Sequence, residues 1–282
     1  MINISKGLDL PISGKPDLNI ADTPNVSSVS LLSNDFIGMK PTMLVREGDE
    51  VKVGTKLFED KKNEGIFFTS PAGGEIKSIN RGDKRKFLSV EIEISQNEQF
   101  IEYEFEDSID STKNNLISSG LWNAFRTRPF NRTPAINDKP NAIFINCCDT
   151  NPLSADPLNI INFDKDYFDD GLKLITKLFD CNIHLCYQSD DFECTNPQII
   201  YHQFCGPHPS GLSSTHISNI YPVNLERIVW TIGYQDIISI GYLFANNSLR
   251  TYKYISLAGP TVYEPSLLKV RVGGNIDDIT AG

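Results

Sequence analysis

The side chains best suited to chemistry lie in residues 205–217, which read C-G-P-H-P-S-G-L-S-S-T-H-I. Two of the four histidines of the chain, His208 and His216, fall here, and histidine readily donates hydrogen bonds and exchanges protons near neutral pH. The segment follows an apolar run at 199–204, and in open α/β sheets the loops that follow strands border the ligand crevice. Residues 205–217 therefore indicate either a ligand-binding loop or a rigid connection without a ligand.

The glycines of this loop suggest a phosphate site, which the neighbouring residues then exclude. Gly206 and Gly211 have the spacing of a P-loop, and glycine lets backbone approach a ligand closely. Leu212 and Ser213, however, occupy the positions where that motif needs Lys and then Ser or Thr. No cation would meet the phosphates, so the sequence argues against a nucleoside triphosphate site.

A second candidate is the basic and aromatic segment Arg126-Thr127-Arg128-Pro129-Phe130. Two guanidinium groups beside a phenyl ring could bind an anionic or carbonyl-bearing ligand. They could equally pair with carboxylates of a neighbouring domain, and both interpretations stay open.

Charge and cysteine usage exclude several other classes of function. The formal net charge is -10 and the basic residues are scattered, which argues against nucleic-acid binding. The six cysteines include no C-x-x-C pair, and on an extended segment Cys181 faces away from His184 and Cys186, so we expect reduced cytoplasmic thiols and no metal or iron–sulfur site. The best apolar run, 237–245, is less than half of the roughly 20 residues that a membrane helix needs.

Short β-strands separated by turns dominate residues 44–94. The turns E-G-D-E-V-K-V-G at 47–54 and S-P-A-G at 70–73 resemble those of biotinyl and lipoyl carrier domains. In carriers a modified lysine lies between these turns, where this chain has Lys61 and Lys62 without the Met-Lys-Met of biotin carriers. The sequence therefore predicts a carrier-like β domain used as a scaffold, with covalent modification of Lys61 or Lys62 as the alternative.

Strands and helices alternate after residue 101, which predicts an α/β domain with a parallel sheet. A helical pattern runs from about Ser111 to Phe125, and apolar runs predict strands at 141–148, 182–187 and 198–204. Further helices are predicted at 168–179, despite Gly171, and at 234–245. The N-terminus predicts short extended segments to residue 15 and then a polar stretch to Asn25, whereas the last residues predict a hairpin and a helical turn at 275–279.

With these pieces in place, the whole chain resembles the N-terminal portion of the NqrA family, which is the NqrA subunit of the sodium-translocating NADH:quinone reductase. The matching blocks follow one order along the chain: K-G-L-D-L-P-I-S-G at 6–14, T-S-P-A-G-G at 69–74, G-L-W-N-A-F-R-T-R-P-F at 120–130, D-T-N-P-L-S-A-D-P at 149–157, G-P-H-P-S-G-L-S-S-T-H-I at 206–217, Y-Q-D-I-I-S-I-G-Y-L-F at 234–244 and L-A-G-P at 257–260. The resemblance implies a mixed α/β protein of three parts: residues 1–100 with the carrier-like β domain, 101–250 as a Rossmann-like domain, and 251–282 as the start of a ubiquitin-like SLBB domain. It also implies that the chain is a short form whose SLBB domain is incomplete.

The resemblance further implies a peripheral subunit on the cytoplasmic side of the bacterial inner membrane, which binds ubiquinone and assembles with the membrane subunits of the sodium pump. That family is similar to the flavin-bearing subunit of respiratory complex I, but the glycine-rich segment of that relative is replaced here by bulky Leu121, Trp122 and Phe125. We therefore expect no flavin, NADH or iron–sulfur site in this chain. The predicted quinone contacts are two donors and three flat apolar side chains: His208, His216, Trp122, Phe130 and Phe36. A ligand-free scaffold is the alternative.

Overall fold

The computed structural model describes residues 1–21 and 24–281. Within them, the strands are β1 (Ile2–Asn3), β2 (Asp17–Ala21), β3 (Ser28–Leu32), β4 (Pro41–Met43), β5 (Glu50–Val51), β6 (Lys56–Asp60), β7 (Phe67–Thr69), β8 (Gly74–Arg81), β9 (Phe87–Ile94), β10 (Arg126–Arg128), β11 (Ala142–Cys147), β12 (Asn182–Tyr187), β13 (Ile199–Cys205), β14 (Val229–Gly233), β15 (Tyr252–Leu257) and β16 (Ser266–Arg271). The α-helices are α1 (Ile109–Ser118), α2 (Pro157–Phe163), α3 (Lys165–Leu178), α4 (Ser213–Ile220), α5 (Tyr234–Asn246) and α6 (Ile276–Thr280). The predicted mixed α/β class is confirmed.

The predicted β domain consists of two small antiparallel sheets with a shared core. One sheet has the strand order β3-β9-β8-β5 and the other the order β4-β6-β7. Phe58 and Phe68 stack inside with ring centroids 4.6 Å apart, and Phe87 packs edge-on against Phe58 at 5.2 Å. These buried rings hold the two sheets together because alternate residues of each strand face inward.

Lys61 and Lys62 lie on the turn between β6 and β7, where the carrier resemblance places them. Both side chains are exposed. The Lys62 ammonium donates to the carbonyl of Gly38 at 3.0 Å, and its backbone N–H donates to Asp60. Covalent modification of either lysine stays a prediction.

A six-stranded sheet forms the centre of the α/β unit, in the order β1-β13-β12-β11-β14-β10. Neighbouring strands from β1 to β14 run parallel, and β10 runs antiparallel to β14. The strands predicted at 141–148, 182–187 and 198–204 are confirmed as β11, β12 and β13. From β11 the chain moves outward to β12 and β13 and then returns to β14 on the opposite side of β11, so the strand order reverses between β11 and β14.

Helices cover both faces of this sheet, but unequally. On one face α3 and α5 bury a continuous core with sheet residues such as Ile143 and Leu185. On the other face α4 packs with Ile217 against Phe144 and Phe204. The helices predicted at 168–179 and 234–245 are confirmed as α3 and α5.

The predicted helix from Ser111 to Phe125 is wrong in its second half. Helix α1 ends at Ser118, and Leu121–Ala124 form a separate 3₁₀ turn. Gly120 causes the break because its backbone is left-handed, with φ +80°. No helix within the described residues is long and apolar enough to cross a membrane.

The predicted hairpin near the end of the sequence is confirmed as β15 and β16, followed by the short helix α6. Its third strand is unexpected: β2 pairs parallel to β16, although the sequence indicates a polar stretch there. Residues 22 and 23 of that stretch lie outside the described residues. Strand β1 joins the large sheet instead, so the first 21 residues contribute to two sheets outside the β domain, and the domain limits 1–100, 101–250 and 251–282 stay a prediction.

Candidate functional site

A crevice of about 470 Å³ opens where the strand order reverses, and we call it the switch-point crevice. In open α/β sheets this position, beyond the carboxyl ends of the strands, is the usual place for ligands. Its polar lining comes from Asn123, Arg126, Arg128, Asn146, Ser213, Thr231, Asp236 and Lys253, and its apolar lining from Leu31, Phe36, Phe68, Leu121, Ile232 and Val272. The β domain, the α/β unit and the third sheet all contribute, so the crevice depends on the folding of the whole chain.

Two guanidinium groups dominate the polar wall of the crevice. Arg126 and Arg128 are two residues apart on β10, so both side chains face the same side of the sheet. Arg126 is held in place because it donates to the carbonyl of Asp35 at 3.0 Å and to Thr133 at 3.2 Å. Burial lowers the pKa of both arginines, yet they stay charged at neutral pH because guanidinium is such a strong base.

Arg128 has capacity left for a ligand. Its Nε is buried and has no hydrogen-bond partner among residues 1–21 and 24–281. Leaving a buried donor unpaired costs roughly 1–3 kcal/mol, so a bound oxygen atom there would be stabilised. Beside it, Lys253 pairs with Asp236 at 2.8 Å, which neutralises one carboxylate of the wall. The crevice can therefore bind a carbonyl or anionic oxygen next to apolar surface.

His208 lies in a different cleft, of about 510 Å³, which also contains Leu8, Leu10 and Thr150. Its Nδ1 lies 3.1 Å from the carbonyl oxygen of Thr150, an acceptor, so Nδ1 carries the proton. The Nε2 atom of the neutral ring is then an acceptor and becomes a donor only when the ring is protonated. The prediction that His208 donates to a quinone thus requires the imidazolium form.

His216 is fully buried on α4, where Nε2 donates to the carbonyl of Ser210 at 2.8 Å. Burial lowers the pKa of His216 to about 4, so the ring is neutral near pH 7. Its Nδ1 is buried without a partner among the described residues. With its only proton already donated, His216 has no hydrogen bond to offer a quinone unless the helix moves.

The three predicted aromatic contacts are widely separated. Trp122 is buried in a cluster with Phe125, Phe179 and Trp230, with centroids 5.4 to 6.1 Å apart, and its Nε1 donates to the carbonyl of Pro134. Phe130 is 48 % exposed. Only Phe36 lines the crevice, where the Arg126 guanidinium lies 5.4 Å from its ring centroid. The five predicted residues therefore do not line one pocket.

The glycines of residues 205–217 approach the protein's own backbone. A Cβ atom on Gly206 would lie 2.1 Å from the carbonyl oxygen of Ile4, and one on Gly211 would lie 2.6 Å from the backbone nitrogen of Thr150. Asn146, at the end of β11, donates to the carbonyl of Gly211 at 3.0 Å. These contacts make the segment a rigid connection that positions His208 and the start of α4.

Other polar clusters contribute less to a site. Within the described residues, no three His, Cys, Asp or Glu side chains lie close enough together to bind a metal ion. His184 and His202 form a hydrogen-bonded pair at 2.9 Å, and all six cysteines are free thiols. Sequence reasoning missed Asn146, Asp236 and Lys253 of the crevice, since only the strand order brings them together.

Comparison with known proteins places the chain among sequences of one type. Residues 2–95 match the family model "NqrA N-terminal barrel-sandwich hybrid domain", and residues 108–249 match "NqrA second alpha/beta domain". Over its whole length the chain is 47 % identical to the NqrA subunits of the Na(+)-translocating NADH-quinone reductases of Yersinia pestis bv. Antiqua and Glaesserella parasuis, and 46 % identical to that of Serratia proteamaculans. The chain spans 65 % of the length of these curated relatives.

Proposed function

The chain belongs to the NqrA family, and on this premise we propose that it forms the corresponding part of the NqrA subunit in a sodium-translocating NADH:quinone reductase. In this role it binds ubiquinone and assembles with the other subunits of the complex at the cytoplasmic side of the membrane. The names of its relatives support the assignment to that complex. The regions 101–250 and 251–282 are proposed to correspond to its Rossmann-like domain and the start of its SLBB domain.

The switch-point crevice supports the quinone proposal best. A quinone needs a flat apolar surface for its ring and donors for its carbonyl oxygens, which become negatively charged on reduction. Phe36 and Leu121 supply apolar surface, while Arg126 and Arg128 supply charged donors. The unpaired Nε of Arg128 is the observation on which the proposal rests, because it is a buried donor directed to no described residue.

The electrons are proposed to come from other subunits. Trp122 and Phe125 support this division of labour, since both rings fill the core at the segment that resembles the flavin loop of the complex I relative. A flavin or NADH there would have to displace two buried rings. The role of this chain is then to orient the quinone and to stabilise charge on its oxygens.

A titration of the purified chain with a short-chain ubiquinone tests the proposal, with the fluorescence of the buried tryptophans as the signal. We expect saturable binding. The variant Arg128→Gln keeps much of the length of the side chain but loses its charge, so the Kd should rise by about tenfold or more, the usual effect of losing a charged hydrogen bond. Arg46→Gln, at an exposed turn of the β domain, is the matched control and should leave the Kd unchanged.

Two results would contradict this proposal. Absence of saturable binding to the correctly folded chain would favour the ligand-free scaffold. A loss of affinity in His208→Ala, with none in Arg128→Gln, would assign the quinone to the His208 cleft instead.

A further inference from the structure

A second cleft, of about 590 Å³, lies at one end of the β domain between residues 33–41 and 81–87. We call it the basic cleft. Its rim carries five exposed cations: Lys40, Arg81, Lys84, Arg85 and Lys86. Its interior is apolar and is lined by Phe36, Ile37, Met39 and Phe87. Basic residues are scattered along the sequence as a whole, but the turn after β8 and the loop after β3 bring these five together.

The positive charge of the basic cleft is largely uncompensated. The two segments carry only two carboxylates, Asp35 and Asp83, against five cations. None of the five cations forms an ion pair within residues 1–21 and 24–281. Such a local excess stands out in a chain whose net charge is -10, because the remaining surface repels anions.

The backbone of the turn has a local conformation that L-residues rarely adopt. Lys84 and Arg85 have left-handed backbone angles, with φ +54° and +61°. Glycine or asparagine would be less strained at both positions, yet both carry long cationic side chains. Beside them, Ile37 is 51 % exposed and Leu88 is 42 % exposed, so bare apolar surface borders the charges.

We propose that the basic cleft binds the surface of a membrane that contains anionic phospholipids. Phosphate groups match the five cations, and the exposed aliphatic side chains match the boundary between head groups and acyl chains. An acidic protein segment would satisfy the charges but would leave Ile37 and Leu88 exposed to its polar backbone. This inference does not depend on quinone binding, since it uses a different cleft and a different ligand class.

Vesicle flotation with the full chain tests the proposal. Phosphatidylcholine vesicles with and without about a third of phosphatidylglycerol are compared, because each cation near an anionic surface strengthens binding roughly fivefold. We expect binding to the anionic vesicles only, and its loss at high salt. In the variant Lys84→Asn with Arg85→Asn, asparagine tolerates the left-handed backbone, so the charge is removed without strain and affinity should fall by about tenfold or more.

A matched control separates the basic cleft from the overall charge. Lys165→Gln with Lys173→Gln removes two exposed lysines from α3 of the α/β unit and should change vesicle affinity by less than about twofold, because salt screens charges far from the membrane surface. Equal losses in both double variants would overturn the proposal, as would equal binding to neutral vesicles. Binding of polyglutamate, lost in the Lys84 and Arg85 variant while neither vesicle type binds, would overturn it in favour of an acidic protein partner. Ile37→Ser should weaken binding to anionic vesicles without changing its dependence on salt.

Discussion

At the scale of single residues, His216 links the burial of α4 to pH. Burial lowers its pKa to about 4, against about 6.5 for an unfolded histidine. Between these values the unfolded chain binds more protons than the folded one, so the free energy of unfolding falls as the pH falls from about 6.5 to about 4. The full contribution of such a histidine is about 3 kcal/mol, and it is completely present only above about pH 6.5.

The variant His216→Gln should flatten this pH dependence. Glutamine can still donate to the carbonyl of Ser210 but does not titrate. We expect a lower stability than wild type at pH 7.5 from imperfect packing against Phe204, and a smaller further loss at pH 5. Urea unfolding at the two pH values measures both. His184, whose pKa burial also lowers to about 4, should account for the dependence that remains, and parallel pH profiles of variant and wild type would contradict the role of His216.

Residue types in the sequence identify candidates for a site but not their exposure. His208 and His216 lie eight residues apart, yet His208 lines an open cleft and His216 is fully buried. The difference arises because α4 turns one histidine toward Phe204, a contact that depends on the tertiary packing of α4 against the sheet. The Arg126 and Arg128 pair was more predictable, since residues i and i+2 on a strand always share a face.

At the scale of elements, the crossing of α3 and α5 depends on two glycines. A Cβ atom on Gly241 would lie 1.8 Å from the carbonyl oxygen of Tyr167, and one on Gly171 would lie 2.2 Å from that of Ile237. The backbones of the two helices are thus in direct contact. From the sequence alone, Gly171 only weakens a predicted helix, because helix propensity is local and the partner helix is more than 60 residues away.

Gly241→Ala should therefore destabilise the protein although alanine is the better helix former. Propensity alone would add about 1 kcal/mol of stability, whereas forcing two backbones apart typically costs about 1–3 kcal/mol and sometimes more. We expect a clear net loss in the urea midpoint. Ala245→Gly, at an exposed position of the same helix, should lose only about 1 kcal/mol. A stabilised Gly241→Ala variant would show that the helices do not meet at this residue.

Most elements were predictable because their apolar pattern is local. The buried strands β11, β12 and β13 are continuous apolar runs, and α3 has an apolar face. Strand β2 was not, because four of its five residues are exposed and its partner β16 lies almost 250 residues further along the chain. Its place in a sheet follows from backbone pairing, which leaves no mark on side-chain type.

At the scale of the whole molecule, a few polar contacts join the third sheet to the β domain. Arg271 at the end of β16 donates to Glu98 at 2.8 Å and, through Nε and Nη2, to the carbonyl of Pro71 at 3.2 and 3.0 Å. Glu98 also accepts from the backbone of Gly73 at 2.7 Å. Both side chains are more than four-fifths buried, so water screens the pair weakly.

The Arg271–Glu98 pair should be strongly coupled. In a double-mutant cycle with Arg271→Gln and Glu98→Gln, we expect a coupling free energy of about 1–3 kcal/mol, because each single change leaves a largely buried charge without its partner. The exposed pair Lys77–Glu91 is the matched control and should give at most about 1 kcal/mol. Hydrogen exchange of β15 and β16 measures where the stability is lost: both strands should exchange faster in Arg271→Gln. Protection that is unchanged there, with equal coupling in the two cycles, would show that the third sheet is held by β2 and its apolar contacts rather than by this ion pair.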